Sequence, residues 1–460
     1  MSEASFLLAL RAAVGSSLAT DEDSLQRASS DWSGRKGSCS AVVCVRSEAD
    51  VVAVLTLAAA HQFAVVPRGA ATSATGAAVP LNGAVVLDFT GMNRILALDV
   101  ADMVAEVEPG VVTHQLQARA EEVGLLYPPD PASSDQCTLG GNVATCAGGL
   151  RAVKYGVTRD YVLGLRCVLP GGEVFETGGR NLKDVSGYDL TRLLVGSEGT
   201  LAVITRITLK LVPLPPGRST LLASFANDDG AFAAADLLLA NGVWPRALET
   251  MDAQALRLAA TAVGEAVHDS VRSRLLVELD GEVGAVAETE ARVLRLLTAH
   301  ATAVDMANTA TAHALVWAGR RAISAAVLTI TPAKRSEDLG VPRGQLAAAV
   351  RELRAIGKNY GIGVLVYGHA GDANLHCNFL YDPIENGSAK RLEACVQAAY
   401  AAVLRRGGTL TGEHGVGLRK RVAVSAALGP VRCRLMRAIK HAFDPNNLLN
   451  PGKVLPPEQP

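Results

Sequence analysis

The sequence predicts an α+β protein built in two parts, and three observations carry that reading. From Ala41 to about Val212, short β-rich runs alternate with Gly-rich turns. Pro213-Leu214-Pro215-Pro216-Gly217 then breaks the pattern, because proline withholds a backbone donor and restricts the residue before it. Beyond it, Ala-rich amphipathic helical patterns interleave with further strands. At 460 residues, 49% of them hydrophobic, the chain is long enough for two or more cores. The expected division is 1–215, 216–420 and a C-terminal helical segment 421–460 that returns to the first domain.

Residues 1–30 read as a helix followed by an acidic loop. Strands are expected at Ala41–Val45, Ala64–Pro67, Val85–Phe89, Ile95–Val100, Val104–Val107, Tyr161–Leu169 and Ala202–Leu211. A helix at Ala49–His61 separates the first two. In the second part, helices are expected around 228–242, 252–264, 284–300 and 343–360, and strands near 219–225, 273–279, 362–369 and 375–381. After Arg419 the pattern is helical to about Phe443, where Asp444-Pro445-Asn446-Asn447 ends it.

Composition narrows the function. Basic and acidic residues nearly balance, 44 against 45, with no run of one sign, so neither nucleic acid nor an acidic lipid surface is suggested as partner. The eight cysteines are scattered and form no C-x-x-C pair, which argues against zinc knuckles and iron–sulfur ligation and fits a reducing compartment. Met1 to Leu10 lacks the basic region and apolar run of a signal peptide, and runs such as Val51–Ala60 are too short to span a bilayer. The expectation is a cytoplasmic protein without a transmembrane segment, with peripheral attachment at the inner membrane face left open.

The densest chemistry lies in Gly368-His369-Ala370-Gly371-Asp372-Ala373-Asn374-Leu375-His376-Cys377-Asn378. Read as a hairpin turning at 371–374, it pairs Ala370 with Leu375 and His369 with His376. Directly paired residues have Cβ atoms roughly 4.5–5.5 Å apart, so two imidazoles could share one metal ion. Asn378, two residues past His376, points to the same face. Thr411-Gly412-Glu413-His414-Gly415 adds a carboxylate and a third imidazole. His369, His376 and Glu413 form a set suited to zinc, manganese or iron(II) with a position open to substrate. The plainer alternative is two surface histidines beside a polar turn.

Three further segments are rich in small residues. Pro67-Arg68-Gly69-Ala70-Ala71-Thr72-Ser73-Ala74-Thr75-Gly76 follows a strand, and its backbone N–H groups could approach a diphosphate. Pro129-Asp130-Pro131-Ala132-Ser133-Ser134, then Cys137 to Gly149, suggests a backbone wall against a flat ligand. Leu194-Val195-Gly196-Ser197-Glu198-Gly199-Thr200-Leu201 is a tight turn entering a strand. None fits the Rossmann fingerprint or the P-loop.

These motifs, with Lys183-Asp184-Val185-Ser186-Gly187-Tyr188-Asp189-Leu190 and Phe443-Asp444-Pro445-Asn446 followed by Asn450-Pro451-Gly452-Lys453, stand in the order of a known family. From about Ser38 to Lys453 the chain resembles flavoproteins of the vanillyl-alcohol-oxidase type. The branch is that of glycolate oxidase FAD subunits, D-lactate dehydrogenases and D-2-hydroxyglutarate dehydrogenases. The resemblance implies a two-subdomain, PCMH-type FAD-binding domain and an α+β substrate cap with an antiparallel sheet. It implies FAD contacts at Pro67, Arg68, Gly69, Ala70, Ala71, Thr72, Ser73, Pro129, Asp130, Ser134 and Thr138, and at Gly140, Gly141, Asn142, Ala144, Thr145 and Gly148. Glu198, Gly199, Ile204 and Asn450 complete the cofactor set. The family's usual loop reads R-G-G-G-T-S; here Ala70 and Ala71 replace two glycines, and their methyls would crowd the phosphates if those positions need positive φ. No histidine lies in 62–113, so the flavin is expected to be non-covalent.

Trp317-Ala318-Gly319-Arg320-Arg321-Ala322-Ile323-Ser324 resembles the family segment whose arginine grips the substrate carboxylate. Arg320 is the expected clamp, Ser324 falls one helical turn on, and Lys334 or Arg335 would supply a second cation. The implied reaction is oxidation of a small 2-hydroxy acid, with His414 as general base and Asn378 orienting substrate or metal ligand. An external acceptor would take the electrons: a quinone, a cytochrome, an electron-transfer protein or an iron–sulfur subunit. A homo-oligomer is compatible with all of this. The competing readings are an accessory subunit with weak catalysis and a sugar or alcohol oxidase of the same fold.

Overall fold

The structure is a computed structural model describing residues 3–457. Two compact units emerge. The first comprises Met1–Gly148, Val157–Leu214 and Glu413–Pro460; the second comprises Gly149–Gly156 and Pro215–Gly412. Two details differ from expectation. The chain re-enters the first unit at Glu413 rather than after 420, and the short piece 149–156 belongs to the second unit. The second detail has a local cause: Lys154 Nζ donates to the Asp280 carbonyl at 2.7 Å and pairs with its carboxylate, and Tyr155 Oη donates to the same carboxylate at 2.7 Å.

In the first unit, β1 (Leu18–Ala19), β2 (Cys39–Cys44), β3 (Val65–Arg68) and β4 (Gly83–Asp88) form a sheet in the order β1-β2-β4-β3, with β2, β4 and β3 parallel. α1 (Glu3–Val14) and α3 (Glu48–His61) supply its core: Phe6, Leu10, Val51, Val54 and Leu55 pack on Val43, Val85 and Leu87. α3 starts at a full capping box between Ser47 and Asp50 and stops where Gln62 turns left-handed at φ 58°. The expected acidic loop is instead partly helical. Asp21 accepts from the Ser24 N–H and starts α2 (Glu22–Ala28), the usual use of an aspartate at an N-cap.

β5 (Ile95–Asp99), β6 (Val104–Val107), β8 (Val162–Val168), β9 (Val174–Gly178) and β10 (Val203–Lys210) form an antiparallel sheet in the order β5-β6-β10-β8-β9. A small pair, β7 (Leu125–Leu126) with β11 (Val212–Pro213), lies outside it. The C-terminal helix α14 (Arg421–Phe443) breaks at Gly429, φ 70°, just before Pro430, which has no N–H to continue the ladder.

The second unit is one antiparallel sheet of seven strands. It comprises β12 (Gly217–Phe225), β13 (Ala247–Asp252), β14 (Ser273–Gly281), β15 (Ala303–Met306), β16 (Ala333–Gly340), β17 (Gly363–His369) and β18 (Asn374–Tyr381). Their order is β15-β12-β14-β13-β17-β18-β16. α9 (Ala253–Val263) and α11 (Ala310–Ala326) pack Leu256 and Ile323 against Met251, Leu365 and Tyr367 of the sheet. β13 and β16 were not expected. Their sequences, ALETMD and AKRSEDLG, carry charges that mask strand propensity, and pairing with neighbours overrides it.

Candidate active site

The β17–β18 hairpin differs from the expected register by two residues. Tyr367 stands opposite His376, Gly368 opposite Leu375 and His369 opposite Asn374, so residues 370–373 form the turn. A slip of one would have put the histidines on opposite faces; a slip of two leaves them on one face, as diagonal neighbours. Diagonal Cβ atoms sit roughly 7–8 Å apart, a span two imidazoles can bridge. They do: Nε2 of His369 and Nε2 of His376 are 3.1 Å apart, with the rings edge to face at 4.9 Å. Gly368 permits the close strand approach, because a Cβ there would lie 2.4 Å from the Asn374 carbonyl oxygen.

Beneath this pair lies a residue that the sequence reading missed. Glu249 stands opposite His369 on β13 and is fully buried. One carboxylate oxygen is 2.6 Å from His369 Nδ1; the other accepts from Arg320 Nε at 2.9 Å and Nη2 at 2.5 Å. Burial pushes the carboxyl pKa up, but His369 and Arg320 outweigh it and hold the group below the ordinary glutamate value. The Arg320 guanidinium also lies over the Tyr367 ring at 4.6 Å. The expected clamp thus has one edge and one face committed within the protein, leaving Nη1 and one Nη2 hydrogen.

β16 completes the face. Lys334, Ser336 and Asp338 alternate onto the same side as their partners Leu380, Asn378 and His376 on β18. Arg335 points the other way and is held by Glu337 at 2.7 Å and Glu393 at 2.5 Å, so of the two candidate cations only Lys334 shares the histidines' face. Lys334 Nζ donates to the Ser324 carbonyl and, at 3.0 Å, to its hydroxyl; burial lowers its pKa to about 8. Asn378 is fully buried, its Oδ1 accepts from the Ser336 hydroxyl at 2.7 Å, and its Nδ2 has no partner among the described residues. Asp338, also fully buried and also missed, accepts from Asn374 Nδ2 at 2.6 Å, Thr411 Oγ1 at 3.0 Å and the Gly412 N–H at 2.9 Å. It fixes the chain immediately before Glu413. A lone carboxylate within a β-rich run, as in Leu248-Glu249-Thr250-Met251, was the available signal for Glu249.

The first unit gathers the segments expected to meet FAD. The Glu198 N–H donates to the Ala144 carbonyl at 2.7 Å and the Gly196 N–H to the Val143 carbonyl at 2.9 Å. Asn450 Nδ2 donates to the Glu198 carbonyl at 2.7 Å, and the Asn450 N–H to the Val65 carbonyl at 2.8 Å. So the loops at 65–69, 138–145, 196–200 and 450 pack as one cluster. Their glycines are used as bare backbone: a Cβ at Gly69 would lie 2.2 Å from Thr138 Oγ1, one at Gly140 2.6 Å from Pro109, and one at Gly199 2.9 Å from Pro67. Asp130 accepts from Gln117 Nε2 at 3.4 Å, as does the Pro129 carbonyl at 2.9 Å, and the Ser134 carbonyl accepts from the His114 N–H. Ile204 is the second residue of β10 and stands opposite Cys167.

Two members of the loop expected to meet the diphosphate have distinct settings. The Arg68 guanidinium donates to the carbonyls of Arg27, Ala28 and Ser30, so this side chain ties down the end of α2. Ala71 is left-handed at φ 55°, whereas Ala70 is not, so the cost of replacing glycine falls at one position only. In the same unit, Gly148 faces Glu413, since a Cβ there would sit 2.7 Å from Glu413 Oε2. His414 follows, its carbonyl 3.4 Å from Thr75 Oγ1, and Glu198 holds the loop by accepting from the Val416 and Gly417 N–H groups at 2.6 and 2.8 Å.

The residues present fit both expected groups. The hydrogen bonds among the 65–69, 138–145, 196–200 and 450 segments gather small-residue backbone in one place, a surface a diphosphate can approach closely. On the second unit, a carboxylate on Nδ1 of a histidine whose Nε2 faces another imidazole is the usual setting of a metal ligand.

The family described as "FAD binding domain" matches residues 39–178, and "FAD linked oxidases, C-terminal domain" matches residues 214–454. Glycolate oxidase subunit GlcD of Bacillus subtilis (strain 168) is 39% identical over 90% of this chain and 88% of its own. D-lactate dehydrogenase of Anaerostipes hadrus is 36% identical over 89% and 88%. D-2-hydroxyglutarate dehydrogenase of Stutzerimonas stutzeri (strain A1501) is 33% identical over 95% of both. Among solved structures, p-cresol methylhydroxylase with substrate bound has a TM-score of 0.81 at 18% identity, covering 98% of this chain and 97% of its own, a likeness of fold.

Proposed function

The chain belongs to the FAD-linked oxidases, and from that premise we propose that it oxidises one small 2-hydroxy acid to the 2-oxo acid with a divalent metal ion held by His369, His376 and Glu413. D-lactate, glycolate and D-2-hydroxyglutarate define the substrate class, as the relatives' names suggest. One observation carries the reading: two imidazole Nε2 atoms 3.1 Å apart, one ring backed by a buried carboxylate. Chain continuity supports Glu413 as third ligand, since Gly412 is held by Asp338, the strand neighbour of His376.

FAD when bound accepts the hydride, and a zinc, manganese or iron(II) ion when bound lowers the pKa of the hydroxyl. The remaining work falls to this chain's residues. Arg320, with one edge held by Glu249, turns its remaining N–H groups to the substrate carboxylate. Lys334, steadied by Ser324, adds a second positive charge. Asn378 Nδ2, unpartnered and buried, donates to a substrate oxygen. His414 accepts the hydroxyl proton. The cofactor residues are those of the cluster around Gly69, Thr138, Gly199 and Asn450, with Arg68 contributing backbone only. Electrons leave to a quinone, a cytochrome, an electron-transfer protein or an iron–sulfur subunit. Among the described residues, no helix is long and apolar enough to cross a membrane.

Metal analysis of variants tests the proposal. His369→Ala, His376→Ala and Glu413→Ala are each expected to lose the metal and turnover while keeping the flavin spectrum, and His414→Ala to keep the metal and lose rate. A full metal complement with near-normal turnover in the hairpin variants would make those histidines structural. The strained Ala71 favours one second reading, an accessory subunit that binds flavin weakly. A purified protein that is colourless and cannot be reconstituted with FAD would support it.

A further inference from the structure

Glu249 is charged, fully buried and bound on both oxygens, and the roles given so far use it only as a neighbour. An ionised carboxylate accepts hydrogen bonds and donates none. All of its contacts must therefore be N–H donors. On Oε2 these are Nε and Nη2 of Arg320; on Oε1 the donor is Nδ1 of His369 at 2.6 Å. A neutral His369 with its proton on Nδ1 presents a lone pair at Nε2, the atom that faces His376 Nε2. The opposite tautomer would point a proton there, and a protonated nitrogen cannot ligate a metal.

We propose that Glu249 is a positioning residue that holds His369 in its metal-binding tautomer, and that Arg320 anchors Glu249 for that task. The inference rests on the reading of His369 and His376 as metal ligands. The fold makes the arrangement rigid. Glu249 and His369 are Cα partners on adjacent strands, Arg320 arrives from α11, and the Tyr367 ring lies under the guanidinium. Arg320 thus has a duty apart from substrate, and Glu249 Oε1 lies 2.6 Å from His369 Nδ1.

Glu249→Gln separates this role from simple packing. Glutamine is isosteric but has one oxygen and one NH2, so it cannot accept from both partners. The buried Arg320 charge retains the oxygen; the NH2 then faces His369 Nδ1 and drives the ring proton to Nε2. Glu249→Asp keeps an acceptor-only group but is one methylene shorter. The measurement is zinc affinity of the FAD-loaded protein by competition with a chromophoric chelator, with the visible spectrum of the cobalt(II)-loaded protein as a second readout. The expected order is wild type, then Asp, then Gln, with Gln weakened about 10- to 100-fold, flavin content unchanged and the cobalt spectrum altered. If packing alone mattered, the isosteric Gln would bind as well as or better than Asp; that order, or a Gln variant equal to wild type, overturns the proposal while leaving the metal site standing. Should Gln fail to fold, the Asp variant alone decides: affinity within tenfold of wild type supports the role and a greater loss contradicts it. A wild-type protein that binds no zinc or cobalt would instead remove the metal site itself.

Discussion

Lys334 is a cation that its surroundings have weakened. It lies on the histidines' face of β16, and its pKa falls to about 8 because burial penalises the charged form. Below that pH the side chain is protonated and can meet a carboxylate; above it the charge is lost. The KM for a 2-hydroxy acid is therefore expected to be flat from pH 6 to about 8 and to rise above that. In Lys334→Met the KM should be raised throughout and lose this inflection. A wild-type KM that stays flat to pH 10, with the variant behaving alike, would remove Lys334 from the site. Asn378 and Glu249 show the same economy at single-residue scale: buried polar groups are costly unless bonded, so an unpartnered Nδ2 and a doubly bonded carboxylate each mark a place where chemistry sets the sequence.

At the scale of elements, the hairpin of β17 and β18 depends on Gly368. A methyl there would lie 2.4 Å from the Asn374 carbonyl, so Gly368→Ala must push the strands apart where the two imidazoles meet. Overpacking of this kind costs about 1–3 kcal/mol. The expected outcome is a protein with full FAD content, lowered thermal stability and weakened metal binding; unchanged zinc affinity would show that the diagonal geometry tolerates displacement. This hairpin was the most legible element in the sequence. Its two strands and shared histidine face followed from alternation, but its register did not, because the Gly-Asp-Ala-Asn turn admits more than one closure and the choice of 370–373 depends on where Asn374 and Asp338 meet. Glu249 and Asp338 were missed for a related reason. Both stand in strands whose charged residues read as loop, and only a buried partner from elsewhere in the sheet makes such residues fit a strand. Local patterns also located α3, whose capping box is written in Ser47 and Asp50, whereas the break of α14 at Gly429-Pro430 was visible but unused.

At the scale of the whole molecule, the expected sites draw on residues of both units. The motifs expected to contact FAD fall in the first unit together with Glu413 and His414, and the histidine pair with the Arg320 and Lys334 cations in the second. The residues expected to hold flavin and those expected to hold metal are different side chains, so flavin and metal should be removable independently. FAD is expected to be non-covalent, so acid precipitation should release all yellow colour into the supernatant; colour retained in the pellet would mean a covalent bond. The family was legible because seven motifs recur in one order, while the substrate was not. The side chains that choose among lactate, glycolate and hydroxyglutarate need only one or two contacts beyond the shared carboxylate and hydroxyl, and no motif encodes them.

On the function proposed above, a 2-hydroxy acid reduces the flavin only when the metal site is filled. The direct measurement is the anaerobic absorbance of the FAD-loaded protein on addition of D- and L-2-hydroxy acids, before and after chelation. One acid should bleach the flavin fully in the metal-loaded protein, fail to do so after chelation, and bleach it again once zinc or manganese is restored. Equal bleaching with and without the metal, or no bleaching by any 2-hydroxy acid in the fully loaded protein, would contradict it.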